Sequence, residues 1–123
     1  MPDRAALARE IDKLEDIIRQ IAAVTARTDD GRRKDLVALR RVLSAQIHAV
    51  GQAGEPVFAE TEELTTYRAK YSRMRSMSAL HQSSWPAITL GERPDEYRES
   101  VKPMREANRD FIAWTRDALA RLR

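Results

Sequence analysis

Residues 3–26 read DRAALAREIDKLEDIIRQIAAVTA, and the apolar positions Leu7, Ile11, Leu14, Ile18 and Ile21, continued by Thr25, recur at alternating steps of four and three. That spacing keeps one face of a helix apolar, and its regular alternation is the seam of a coiled coil. Asp3 stands where its carboxylate can cap the helix, and Ile17 widens the stripe. Glu15 with Arg19 and Glu10 with Lys13 are favourable neighbours away from the seam. A helix of about 24 residues runs about 36 Å.

Working outward, Thr28, Asp29, Asp30 and Gly31 supply turn and cap chemistry, so the chain is expected to double back as a helical hairpin. The next pattern, Leu36, Leu39, Val42, Leu43, Ile47 and Val50, holds helical spacing up to Gly51-Gln52-Ala53-Gly54-Glu55-Pro56, where two glycines and a proline predict a break. Pro56 suits the first turn of a third helix carrying Leu64, Tyr67, Tyr71, Met74 and Ser78, which should end before Pro86. A fourth pattern runs Tyr97, Val101, Met104, Asn108, Phe111, Thr115, Ala118 and Leu122; Pro103 inside it either kinks that helix or marks its start. No stretch sustains the period-two alternation of a strand. The expectation is one all-α domain over 1–123, with four amphipathic helices near 3–26, 33–50, 57–84 and 95–122. They would form antiparallel helical hairpins or an up-down bundle with coiled-coil-like seams. The regular seams of the first and last helices also suit a homodimer.

Composition bounds what such a chain can do. Of its 123 residues, 42% are hydrophobic, but 18 are alanine, and Leu, Ile, Val and Phe together number 25. The core is therefore thin. Twenty-two basic residues against 19 acidic ones leave a net charge of +3, all of it in the second half of the chain. With no cysteine, two histidines and four glycines, disulfides, thiolate chemistry, multi-imidazole metal sites and glycine-rich phosphate loops are excluded. No leader-like or membrane-spanning apolar run is visible, so a cytoplasmic location is expected.

Candidate chemistry is sparse. From Leu64 to Gly91 the chain carries four positive charges and no acid, with Arg68, Lys70, Arg73 and Arg75 interleaved with Tyr67 and Tyr71. This pattern suits nucleic-acid contacts, although at 100° per residue the cations do not form one stripe, and cations snorkelling beside a buried seam explain it equally. A metal site of the di-iron type needs glutamate three residues before histidine, and those places hold Ala45 before His48 and Ser78 before His81. No metal and no cofactor are expected. The run His81-Gln82-Ser83-Ser84-Trp85-Pro86 resembles the phosphoacceptor box of histidine-kinase dimerisation domains, which implies a phosphotransfer role for His81. It departs from that box at Gln82, where an acid usually follows the histidine, and at Trp85, where a small polar residue is usual. The opening Leu7–Leu14 is similar to the first helix of helical chorismate mutases, but the likeness ends within that helix and leaves Ala8 near where that family places an arginine.

The apolar connection Trp85-Pro86-Ala87-Ile88-Thr89-Leu90-Gly91 either caps the bundle or presents Trp85, Ile88 and Leu90 to another protein. Taken together, these features predict a non-catalytic, self-associating protein–protein interaction module of adaptor, chaperone-like or regulatory type. Trp85, Ile88 and Leu90 would anchor its partner, with Arg68, Lys70 and Arg75 as a steering rim. Nucleic-acid binding through the Arg68–Arg75 helix and phosphotransfer at His81 are the alternatives.

Overall fold

The Asp3 carboxylate accepts a hydrogen bond from the Ala6 amide at 2.8 Å, and the first helix, α1 (Arg4–Thr25), runs from that cap. In the computed structural model, which describes residues 3–86 and 92–122, three more helices follow: α2 (Arg32–Phe58), α3 (Leu64–Ser84) and α4 (Pro94–Arg121). No strand occurs among the described residues. The α1–α2 turn is held by Arg27, which donates to Asp29 and Asp35, each at 2.7 Å. Arg32 reaches back to the Thr25 carbonyl at 3.1 Å.

Each helix lies against its neighbours in chain order, and α4 closes the ring on α1, which makes an up-and-down four-helix bundle. The cross-links show the antiparallel sense. Gln46 of α2 donates to the Glu10 carbonyl of α1, while Arg32 at the start of α2 meets the end of α1. Lys70 of α3 meets Asp110 of α4 at 2.9 Å, and His81 meets Ser100 at 3.2 Å.

The main core contains Leu7, Ile11 and Leu14 of α1 with Leu43, Ile47 and Val50 of α2, Tyr67 and Met74 of α3, and Phe111 and Ala118 of α4. A fully buried aliphatic side chain contributes about 2 kcal/mol, so the seams read from the sequence are what hold the bundle together. Much of each seam packs inside the single chain, while Ile18 and Ile21 of α1 stay half-buried. A second, smaller cluster of Leu36, Trp85, Tyr97 and Val101 fills the opposite end.

Two expectations are corrected. The glycines and proline at 51–56 do not break α2, which continues to Phe58, so the third helix starts at Leu64 rather than near residue 57. The glycines instead make room for tyrosines of α3. A Cβ on Gly51 would stand 2.5 Å from the Tyr71 hydroxyl, and one on Gly54 would overlap the Tyr67 hydroxyl. Both hydroxyls donate to α2 carbonyls, Tyr67 to Val50 and Tyr71 to Ile47, each at 3.0 Å. Pro56 lies in the last turn, where its missing N–H frees only one late carbonyl. The actual reversal follows at 59–63, where Glu60 takes a left-handed backbone with φ 63°. Pro103 does not start the fourth helix either: α4 begins at Pro94, whose fixed φ suits a first turn, and passes through Pro103.

Candidate functional site

The residues singled out in the sequence do not assemble into one surface. Trp85 is 5% exposed and packs inside the small end cluster, edge to face with Tyr97 at 5.1 Å, with the Arg93 guanidinium 4.9 Å above its ring. A ring enclosed in this way is part of the fold rather than a displayed anchor, which corrects that expectation for Trp85. Ile88 and Leu90 lie outside the described residues. Arg68 is bound to Glu55 of α2 and Lys70 to Asp110 of α4, so they point to opposite neighbours, and Arg75 lies beside Tyr71. Arg68 stands 17 residues before Trp85, about 25 Å along the helix axis. The basic run is therefore dispersed, and its first two cations are already neutralised.

His81 is 7% exposed. Its Nε2 lies 3.2 Å from the Ser100 hydroxyl, which donates onward to the Tyr97 carbonyl at 2.6 Å, and its ring meets Tyr97 edge to face. Burial, reinforced by the nearby Arg40 charge, lowers its pKa to about 4. It is thus a neutral core histidine. A phosphoacceptor must project into solvent for in-line attack, and this ring is walled by α4, which corrects the phosphotransfer expectation.

A hollow with a largely apolar lining lies between α1 and α4. A groove of about 580 Å³ is floored by Ile18, Ala22, Ile112 and Ala113, and a smaller cavity of about 40 Å³ continues it toward Thr25 and Val101. The two helices are tied by Arg116, which holds Glu15 and Asp12 at 2.9 Å each, and at the start of α1 by Arg4, which donates to the Leu122 carbonyl at 3.0 Å. Beyond that clamp the small side chains of Ala22 and Ala113 leave the gap. Arg105 and Arg109, one turn apart on α4, line it and make no ion pair among the described residues. Asn108, 3% exposed, borders both hollows, and its Oδ1 is buried with no hydrogen-bond partner. Glu15 is held below the usual carboxylate range, first by its hydrogen bond from Arg116, and remains a charged spacer.

This groove was missed because it depends on which helix neighbours α1. Its traces in the sequence are the polar Asn108 interrupting an apolar seam and the Arg105–Arg109 pair at helical spacing.

Among the described residues no cluster of three or more His, Asp or Glu is placed to hold a metal, and no helix is long and apolar enough to cross a membrane. No family model, curated protein or solved structure matches the chain.

Proposed function

We propose that this chain is a small helical binding module that docks an acidic amphipathic helix of another protein along the α1–α4 groove. One observation carries the reading: an apolar floor bordered by Arg105 and Arg109, two guanidinium groups that make no ion pair among the described residues. The floor supplies area for the apolar face of a helix, and the arginines select acidic residues along its edge. From Glu15 to Thr25 the groove spans about 15 Å, close to three helical turns. Self-association is the weaker occupant. An isologous pairing through this groove would bring together two linings that each carry Arg19, Arg105, Arg109 and Arg116 against the single carboxylate of Glu15.

The test is selection of displayed amphipathic-helix peptides on the intact protein. Enriched peptides are expected to repeat apolar residues at helical spacing with flanking Asp or Glu, and to lose at least about tenfold in affinity for Arg105→Glu/Arg109→Glu, about 1.4 kcal/mol or more. Enrichment without acidic flanks, or binding indifferent to the double substitution, overturns the proposal.

A further inference from the structure

On the opposite face of the bundle, α2 and α3 enclose two adjoining hollows of about 250 and 600 Å³ that share Ser44 and Gln82. Their lining differs in kind from that of the α1–α4 groove. No carboxylate lines either hollow, while Arg40, Arg41, Arg75 and His48 do. Arg41 makes no ion pair among the described residues. Arg40 is half-buried, and its guanidinium is fixed by the carbonyls of Trp85 at 2.6 Å and Gln82 at 2.8 Å, so its charge meets the C-terminal dipole of α3. Desolvation lowers its pKa, and it makes no ion pair with a carboxylate among the described residues. Along α2, Lys34, Arg41 and His48 recur one heptad apart, a line of about 21 Å.

We propose that the α2–α3 furrow is a contact surface for the phosphate backbone of a nucleic acid. A strand of duplex places a phosphate about every 3.4 Å along its axis, so the line faces about six of them. Hydroxyl and amide donors on Ser44 and Gln82 suit phosphate oxygens. An acidic protein helix is the poorer occupant, because Ser44, Ser78, Gln82 and Ser83 interrupt the apolar residues that line the furrow. The aromatic ring at its edge, Tyr71, is stacked on Tyr67 and its hydroxyl is bound to Ile47, so the contact reads backbone rather than base. This surface also replaces the Arg68–Arg75 helix as the place for nucleic acid, since Arg75 alone of Arg68, Lys70 and Arg75 lines it.

The experiment is fluorescence anisotropy of the full chain with a labelled 20-base-pair duplex of arbitrary sequence between 50 and 200 mM salt. With about four phosphates neutralised, log affinity should fall against log salt with a slope near about −3.5, independent of sequence. Arg41→Gln/Arg75→Gln should weaken binding at least about tenfold and reduce the slope by about two, whereas Arg105→Gln/Arg109→Gln, of equal charge loss, should change affinity less than about twofold. Equal losses in the two double variants would show that net charge rather than the furrow binds. No binding at 50 mM salt, displacement by millimolar inorganic phosphate, or displacement by poly-glutamate as efficient as by unlabelled duplex would each overturn the assignment. Because Arg41 and Arg75 lie on the face away from the α1–α4 groove, the outcome leaves the peptide-docking proposal to be judged by its own test.

Discussion

Both ends of the bundle are built on aromatic rings, yet they surround those rings with different chemistry. At one end Phe58, Tyr67, Phe111 and Trp114 pack with ring centroids 4.8 to 6.4 Å apart, and the Tyr67 hydroxyl is spent on a backbone carbonyl. At the other, Trp85 and Tyr97 are covered by Arg93 and Arg32, with guanidinium carbons 4.9 and 5.6 Å from the ring centres, and the neutral His81 is wedged against Tyr97. The first end depends on shape, through close approach at Gly54. The second depends on which groups are charged. Both candidate surfaces run toward the second end: the α1–α4 groove opens away from the Arg116 clamp, and the α2–α3 furrow reaches Arg40 and Pro86.

If that contrast holds, acid should attack the Trp85 end first. The folded pKa of His81, about 4, lies below its unfolded value near about 6.5, so the folded state favours neutral imidazole. Its contribution is fully present above about pH 6.5, and the unfolded chain binds the extra proton as pH falls below that. The loss is complete near pH 4 and should amount to about 3 kcal/mol. Urea unfolding at pH 7, 5.5 and 4 measures it, and His81→Leu should flatten the curve above pH 5. Exposed carboxylates with lowered pKa, Glu15 and Glu55, lose their contribution only at lower pH. An unchanged slope in His81→Leu would mean that the Trp85 end does not set the acid response.

The Phe58 end is broken by a methyl group. Helix propensity alone makes Gly54→Ala stabilising by about 1 kcal/mol. The added Cβ, however, would collide with the buried Tyr67 ring, whose neighbours Phe58, Phe111 and Trp114 leave it no room to retreat. Overpacking of this kind costs about 1–3 kcal/mol, so set against that gain a net loss of up to about 2 kcal/mol is expected by chemical denaturation. Gly51→Ala should cost less, because Tyr71 is only half-buried and can swing outward. A gain in stability for Gly54→Ala would show the end to be looser than its ring contacts imply.

Those glycines also mark where the sequence stops being readable. The bounds of α1 and α4 follow from local signals, the Asp3 cap and the proline at the head of α4, and those helices fall close to expectation. Gly51 and Gly54 look like helix breakers because the residues that explain them, Tyr71 and Tyr67, arrive from another helix. Trp85 looked like an exposed anchor for the same reason: Leu36 and Tyr97, which enclose it, come from α2 and α4. Periodicity shows which face of a helix is apolar, but not which neighbour covers it. The α1–α4 groove is a property of such a pairing, and its traces in the sequence are the interruption of the seam by Asn108 and the Arg105–Arg109 pair.

Asn108 supplies the smallest and most discriminating test, because it lies between the two ends on the wall of the groove. Its buried, unpartnered Oδ1 is a cost to the free protein that a core leucine would not incur. Asn108→Leu should therefore raise stability by about 1 kcal/mol, or Tm by about 4 °C. Leucine in its place would also fill the neck between the two hollows and remove a polar group from the floor, so the same variant should bind groove-selected helices more weakly. A more stable variant with weaker binding identifies Asn108 as a position held polar for the partner. If stability instead falls, the amide is satisfied within the fold and the groove owes nothing to it. Either result is sharper than one from Arg116, whose pairing with Glu15 and Asp12 is exposed and worth at most about 1 kcal/mol. The clamp sets where the groove ends, whereas Asn108 tests what the groove is for.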